Sequence, residues 1–188
     1  MPQITAMAAN RVPVLLYAFT IMIMGLSCGG IGISMYPVLK RHGEGPALAA
    51  AGFRLMEGTL QIVSAIGVVA LLGLSQEFVK EGSPQGSFFQ GAGAAIKTVT
   101  DWICNGAFIF PWCIGAAFYY AIFYRRRLVP RWLSVWGLVG LALSLVAGLG
   151  AMFGSSGAMS STQFLFSMPI AVQEMVLAVW LIVKGYAV

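Results

Sequence analysis

The sequence predicts an all-α integral membrane protein, a five-helix transmembrane bundle with its N-terminus outside and its C-terminus in the cytoplasm. Two observations lead to this fold class. Of the 188 residues, 59% are hydrophobic and only 9% are charged, whereas a soluble domain averages about 25% charged residues. The apolar residues also lie in long uninterrupted blocks, and the mean hydropathy is +0.86. Blocks of this kind need a lipid environment rather than a water-facing surface.

Five apolar stretches are long enough to cross a bilayer, because a hydrocarbon core about 30 Å thick takes roughly 20 helical residues. They lie near 13–36, 46–74, 101–124, 132–154 and 163–183. A helix satisfies its backbone polar groups internally, as lipid requires. The first stretch is too long for a cleaved signal peptide, so we interpret it as a retained span. The chain is thus predicted to be a single transmembrane domain.

The basic residues set the predicted orientation, because Lys and Arg accumulate on cytoplasmic loops. Seven fall on the side of the C-terminus, namely Lys40, Arg41, Arg125, Arg126, Arg127, Arg131 and Lys184. Three fall on the other side, namely Arg11, Lys80 and Lys97. This excess predicts a multi-pass protein of the cell's inner membrane. The net charge of +5 is then a topology signal, so lipid and not nucleic acid is the expected partner.

The connection from Ser75 to Thr100 is predicted to be an outer loop that includes a short interfacial helix over Phe88–Val99. Small residues elsewhere predict close helix packing through two GxxxG motifs, Gly25/Gly29 and Gly150/Gly154. Packing within the chain is the preferred interpretation of both motifs. An oligomer that uses either face is the alternative.

The three cysteines, Cys28, Cys104 and Cys113, lie in apolar spans and lack CxxC spacing. The single histidine, His42, lies in a predicted loop away from them. We therefore expect no metal and no cofactor, and we interpret the cysteines as packing residues.

Ionisable side chains within the predicted spans are the strongest functional signal, because each is costly in lipid unless it is paired or hydrated. Arg54 and Glu57 share one face of the second span, Gln61 extends that face by a turn, and Glu174 lies in the fifth span. Helical rise places both glutamates roughly 15 Å from the cytoplasmic side. We predict Glu57 and Glu174 as catalytic acid and base, one of them protonated because like charges repel in low dielectric. Arg54 and Gln61 are predicted to bind substrate.

The third span carries a second constellation at helical spacing: Asp101, Asn105, Phe108, Trp112 and Tyr119. We predict Asp101 as a third catalytic residue at the outer mouth. The other four are predicted to line a substrate cavity, whose aromatic wall would shield a developing cation. Two alternatives stay open, namely an ordinary packing or lipid-facing stripe, and an N-cap role for Asp101.

Four strings carry a family resemblance: YPVLKRHGEG (36–45), GFRLMEG (52–58), RLVPRWLSVWG (127–137) and QEMVLAVWLIVKG (173–185). They resemble the bacterial family catalogued as domain of unknown function 4386, small multi-span membrane proteins without an established activity. The resemblance covers four of the five spans in order and implies the architecture. It also implies a recurrent set of residues, namely Arg54, Glu57, Arg127, Pro130, Arg131, Trp136, Glu174, Trp180 and Lys184.

Two function classes remain open at this point. The first is a membrane-embedded enzyme that acts on a lipophilic substrate by carboxyl acid/base chemistry. A metal-independent isoprenoid (terpene) cyclase or isomerase is favoured, by analogy with small membrane cyclases that use carboxylates. The second is a non-enzymatic membrane protein, either a small transporter or an accessory or structural subunit. In that class Arg54, Glu57 and Glu174 form a structural polar lock.

The segment RLVPRW, at 127–132, has two interpretations of its own. Topology and lipid contact explain its arginines, and a phosphate or diphosphate site is the alternative.

Overall fold

The fold is all-helical, as predicted. The computed structural model describes residues 2–82, 88–152 and 161–187, and these residues contain no β-strand. The seven α-helices of the described part are α1 (Pro2–Ala9), α2 (Arg11–Leu39), α3 (Glu44–Lys80), α4 (Phe88–Trp102), α5 (Ile109–Arg126), α6 (Arg131–Met152) and α7 (Ser161–Lys184). A 3-10 turn, Lys40–His42, joins α2 to α3, and a π-helical segment, Ile103–Ala107, joins α4 to α5.

Four helical segments of the described chain, rather than five, are long and apolar enough to cross a membrane. They are Arg11–His42, Glu44–Lys80, Arg131–Gly150 and Phe164–Lys184. The predicted third span, 101–124, is not among them. A π-helical segment interrupts it, and α5 is less apolar because it contains three tyrosines and ends on Arg125 and Arg126.

The predicted outer loop, Ser75 to Thr100, begins later than predicted. Its first six residues continue α3 as far as Lys80, and the helix predicted over Phe88–Val99 is present as α4. Ser75 and Phe78 are buried, and the ring centroids of Phe78 and Phe89 lie 6.1 Å apart. Hydropathy falls near residue 75, but these packing contacts stabilise the helix as far as Lys80, six residues beyond the predicted end of the span.

Helices α2 and α3 pack through their glycines. A Cβ atom built on Gly58 would lie 2.4 Å from the carbonyl oxygen of Gly25, and one built on Gly32 would lie 2.9 Å from the Cβ of Arg54. Leu55 contacts Gly29 in the same way. The backbones of α2 and α3 therefore touch, as the small-residue motif predicted. Because α3 covers this face of α2, an oligomer through Gly25 and Gly29 would require α3 to move away.

Helix α6 also packs through small residues. Gly137 lies against the ring of Tyr120 on α5, Gly140 against Ile170 on α7, and Gly148 against Ile109. The second half of the predicted motif, Gly154, lies outside the described residues. Helix α6 is thus held between α5 and α7.

The outer faces of the bundle are apolar. Large hydrophobic side chains on α2 and α7 are more than half exposed, among them Leu26 at 63% and Ile182 at 83%. Polar side chains, by contrast, include several that are fully buried, such as Gln173 and Ser64. A protein with apolar residues outside and polar residues inside fits lipid and not water as its solvent.

Candidate functional site

A polar stripe runs along the buried face of α3. Arg54, Glu57, Gln61 and Ser64 recur at spacings of three, four and three residues, so they lie one above another on the helix. All four are less than 7% exposed. The first three are the residues that the sequence predicted to share a face, and this prediction is confirmed.

Arg54 and Glu57 form a buried ion pair. Nη1 of Arg54 lies 2.8 Å from Oε2 of Glu57, and their side chains are only 5% and 4% exposed. The amide of Gln61 donates a hydrogen bond of 3.3 Å to Oε1 of Glu57 and a longer one, 3.7 Å, to the sulfur of Cys28. Cys28 therefore joins the edge of this cluster, in addition to the packing role predicted for it.

The cluster leaves several polar atoms without hydrogen-bond partners among the described residues. They are Nε and Nη1 of Arg54, Oε2 of Glu57, Oε1 of Gln61 and the hydroxyl oxygen of Ser64. The contact between Nη1 and Oε2 is close enough for an ion pair, but it lacks the angles of a hydrogen bond. Outside the ion pair, the donor Nε of Arg54, the acceptor Oε1 of Gln61 and the hydroxyl of Ser64 remain open on one helix face, and leaving a buried polar group unpaired costs about 1–3 kcal/mol.

Helix α7 brings the second glutamate to this cluster. Glu174 lies within electrostatic reach of both Glu57 and Arg54, so the two carboxyl groups for which the sequence predicts one depth lie near each other. The indole nitrogen of Trp112 on α5 donates a hydrogen bond of 3.3 Å to Oε1 of Glu174. Helices α3, α5 and α7 thus converge on one polar site.

Of the predicted aromatic wall, Trp112 alone has a described hydrogen bond to the site. Phe108 is partly buried and packs against the main core. Tyr119 is 4% exposed and packs against Tyr120, with ring centroids 4.5 Å apart, but it lies within electrostatic reach of Arg54. The side chain of Asn105 lies outside the described residues. Neither Phe108 nor Trp112 belongs to a purely lipid-facing stripe.

The structure does not bring Asp101 to this site. Asp101 forms an ion pair with Lys97 on α4, where both side chains are about half exposed. It precedes Trp112 by 11 residues, which is about 16 Å along a helix axis. The alternative N-cap interpretation is wrong, because Asp101 lies one residue before the end of α4.

The π-helical segment Ile103–Ala107 explains why the predicted face breaks between Asp101 and Phe108. The amide of Phe108 bonds to the carbonyl of Ile103, five residues back rather than four. One extra residue in a turn rotates everything after it by about 100°. Regular spacing in the sequence does not reveal such a segment. The spacing therefore predicted one face for Asp101, Phe108 and Trp112, whereas in the structure Asp101 lies apart from the other two.

The comparisons with known proteins give a family. The model of the family described as "Domain of unknown function (DUF4386)" matches residues 3–185 of the chain. The chain belongs to this family. No curated protein and no solved structure matches it.

One feature of this DUF4386 chain was not singled out from its sequence, namely the bridge formed by Gln173. Its amide nitrogen donates to the carbonyl oxygen of Leu133 at 2.9 Å, and its amide oxygen accepts a hydrogen bond from the hydroxyl of Tyr120. Gln173 is fully buried and links α5, α6 and α7. A lone glutamine in an apolar span gives the only sequence signal for this contact.

A structural or catalytic metal ion needs several ligating side chains close together. Within residues 2–82, 88–152 and 161–187, no three His, Cys, Asp or Glu side chains are grouped so that they could hold one. Arg54, Glu57, Gln61 and Glu174 are the residues available to bind a polar group of an organic ligand.

Proposed function

We propose that this chain is a membrane-embedded enzyme that acts on a lipophilic substrate by proton transfer between carboxyl groups. Isoprenoid cyclisation or isomerisation is the favoured reaction. The observation that supports it is the set of buried polar atoms on Arg54, Glu57 and Gln61 that have no hydrogen-bond partner within the described chain, among which Nε of Arg54 and Oε1 of Gln61 also lie outside the ion pair. A purely structural network is expected to pair its own groups, because unpaired ones are costly in a low-dielectric interior.

The open atoms define the polar group that would fit. Arg54 offers donors, while Glu57 and Gln61 offer acceptors. A group that both accepts and donates, such as a hydroxyl, satisfies both kinds. With one glutamate protonated, the other carboxylate balances the guanidinium of Arg54, so a neutral head is preferred to an anionic one. A long-chain isoprenoid alcohol has this head on an apolar body.

The proposed step balances with no oxidant or leaving group. The carboxylic acid of one glutamate donates its proton to an alkene carbon, and the adjacent carbon becomes a cation. The other carboxylate then removes a proton from a neighbouring carbon and restores a double bond. The indole of Trp112 holds the carboxyl group of Glu174, and its ring face stabilises a nearby cation. A positioned acid or base contributes typically 10²–10⁴-fold.

The proposal also includes the topology, with a fifth crossing and an outer N-terminus in the inner membrane. Gly67 of α3 packs against Thr100, and Phe53 stacks on Phe118 with centroids 6.5 Å apart. The chain from residue 100 to 118 therefore runs antiparallel to α3 over about 21 Å. This supports a crossing by α4, the π-helical segment and α5 together. The excess of arginine and lysine at the end of α5 supports the orientation.

Cysteine labelling in whole cells tests the fifth crossing. In a chain whose native cysteines are replaced by alanine, Gly82→Cys lies between α3 and α4, ahead of the α4–α5 segment, and Arg126→Cys lies at the end of that segment. We expect a membrane-impermeant maleimide to label position 82 in intact cells and position 126 only after permeabilisation. Equal labelling of both positions in intact cells would contradict the crossing.

Solvent deuterium incorporation tests the chemistry. The purified protein in lipid nanodiscs is incubated with farnesol or geranylgeraniol in D₂O, and deuterium bound to carbon is measured by mass spectrometry. We expect incorporation by the wild type and a loss of about a hundredfold or more in Glu174→Gln and Glu57→Gln. Glu77→Gln is the matched control, because Glu77 lies on the same helix in an exposed pair with Lys80. No incorporation by the wild type contradicts the proposal.

A structural polar lock is the second candidate, and one observation favours it. The cluster's hydrogen bonds join different helices: Gln61 reaches Cys28 on α2, and Trp112 on α5 reaches Glu174 on α7. Removing one partner of a buried ion pair is strongly destabilising, by about 3–5 kcal/mol. A lock therefore predicts that Glu57→Gln and Glu174→Gln both lose the folded protein in detergent, and that the wild type incorporates no deuterium.

A further inference from the structure

Two cavities meet at Trp180, near the end of α7. One is a basic pocket of about 250 Å³ at the α5–α6 turn, where Arg127, Arg131 and Trp180 form part of the wall. The other is a groove of about 340 Å³ along α7, lined by Val176, Val179, Val183 and neighbouring residues. Lys184 lines the same groove. Together they form a composite surface site that is basic at the α5–α6 turn and apolar along α7, with Trp180 in both walls.

The α5–α6 turn is held in a fixed shape. Arg127 ends α5 in the left-handed conformation, with φ 56°, which costs a non-glycine residue roughly 1–2 kcal/mol. The amide of Leu128 bonds to the carbonyl of Phe123, and the amide of Ala187 bonds to the carbonyl of Leu128. The C-terminal segment therefore ties down the turn, and the backbone that carries Arg127 and Arg131 is fixed beside the pocket.

We infer that this composite site binds one anionic phospholipid, with its phosphate between Arg127 and Arg131 and an acyl chain in the groove on α7. Three observations support a lipid. The arginines complement a phosphate, the groove is apolar, and Trp180 lies between them with an amphipathic ring suited to the head-group level. From Met175 to Lys184 the helix rises about 13 Å, which is room for much of an acyl chain. Inorganic phosphate would use only half of the site.

Native mass spectrometry in an equimolar mixture of phosphatidylglycerol and phosphatidylcholine tests the head-group half. We expect the wild type to retain phosphatidylglycerol selectively. The variant Arg127→Gln/Arg131→Gln should lose this selectivity by about tenfold or more, because each basic residue near the surface contributes about 1 kcal/mol. An excess of inorganic phosphate should not displace the retained lipid.

The matched control removes the same charge from the same turn. Arg125 and Arg126 are exposed and are not part of the pocket wall, so Arg125→Gln/Arg126→Gln should change selectivity by no more than a few-fold. Equal losses in the two double variants would overturn the site in favour of a diffuse basic surface. Displacement of the retained lipid by inorganic phosphate, or the absence of any selectivity in the wild type, would also overturn it.

A groove-filling variant tests the acyl-chain half. Val179 is 61% exposed and lines the groove, whereas Val172 is 42% exposed on the same helix outside it. We expect Val179→Trp to lower the retained phosphatidylglycerol several-fold and Val172→Trp to leave it unchanged. Both substitutions add the same bulk to α7, so a general effect on folding would appear in both. Unchanged retention in Val179→Trp would show that the groove holds no chain.

Discussion

Two neighbouring residues on α7 belong to polar regions of opposite character. Gln173 is fully buried, and both ends of its amide are hydrogen-bonded, to Tyr120 and to the carbonyl of Leu133. Glu174 instead reaches the cluster on α3, where atoms of Arg54, Glu57 and Gln61 have no hydrogen-bond partner in the described chain. The first region is closed and the second is open. A closed polar contact fixes helix positions, whereas an open one leaves binding capacity for a ligand.

The largest loss of stability is expected at Gly58, next to the open region, where the backbones of α2 and α3 are in contact. A Cβ atom added in Gly58→Ala would lie 2.4 Å from the carbonyl oxygen of Gly25, so α2 and α3 would have to separate. We expect a cost of about 3 kcal/mol in the free energy of unfolding, measured by denaturation in detergent, and loss of deuterium incorporation.

Gly52→Ala is the matched control for this change, because a Cβ atom built on Gly52 meets nothing within 4 Å on the same helix. We expect it to be neutral or slightly stabilising, since alanine favours helix over glycine by about 1 kcal/mol. Equal stability of the two alanine variants would mean that α2 and α3 do not touch at Gly58.

Breaking the closed region comes next in size. Gln173→Leu takes away the acceptor of the Tyr120 hydroxyl and the extra donor to the carbonyl of Leu133, so we expect a loss of about 2 kcal/mol in unfolding free energy. Tyr120→Phe in the same background should restore part of that loss, because it removes the hydroxyl that has lost its acceptor. If Gln173→Leu is as stable as the wild type, the bridge does not hold α5, α6 and α7 together.

Most residues of the open region could be predicted from the sequence, but few contacts of the closed region could. Ionisable residues in apolar spans are conspicuous, and helical spacing places Arg54 and Glu57 on one face. The rise per residue of an α-helix also predicts the same depth for Glu174 as for Glu57. Gln173 gave a much weaker signal, because one uncharged amide does not reveal its partners on two other helices.

The sequence failed where local geometry departs from an ideal helix. The π-helical segment Ile103–Ala107 separated Asp101 from Trp112, although their spacing is typical of one face. Similarly, α3 continues to Lys80 because Phe78 is buried against its neighbours, and hydropathy does not measure such contacts. Composition was enough to predict the helices, but it did not predict the irregular segment between α4 and α5 or the true end of α3.

A smaller effect is expected from the hydrogen bond that connects α5 to the open region. Trp112→Phe keeps an aromatic ring but removes the donor to Oε1 of Glu174. We expect deuterium incorporation to fall by about tenfold, since one hydrogen bond to a charged group is worth about 1.5–3 kcal/mol. Unfolding free energy should change much less than in Gln173→Leu. Unaltered deuterium incorporation would show that Trp112 does not contribute to the reaction at Glu174.

The most direct test measures both stability and deuterium incorporation for Gln173→Leu and Glu174→Gln side by side. Gln at position 174 still accepts a hydrogen bond from Trp112 but no longer transfers a proton. We predict that Glu174→Gln keeps the wild-type unfolding free energy to within about 1 kcal/mol and loses incorporation, whereas Gln173→Leu loses stability and keeps incorporation while folded. The reverse pattern, an unstable Glu174→Gln variant that still incorporates deuterium, would contradict an open, chemically active cluster.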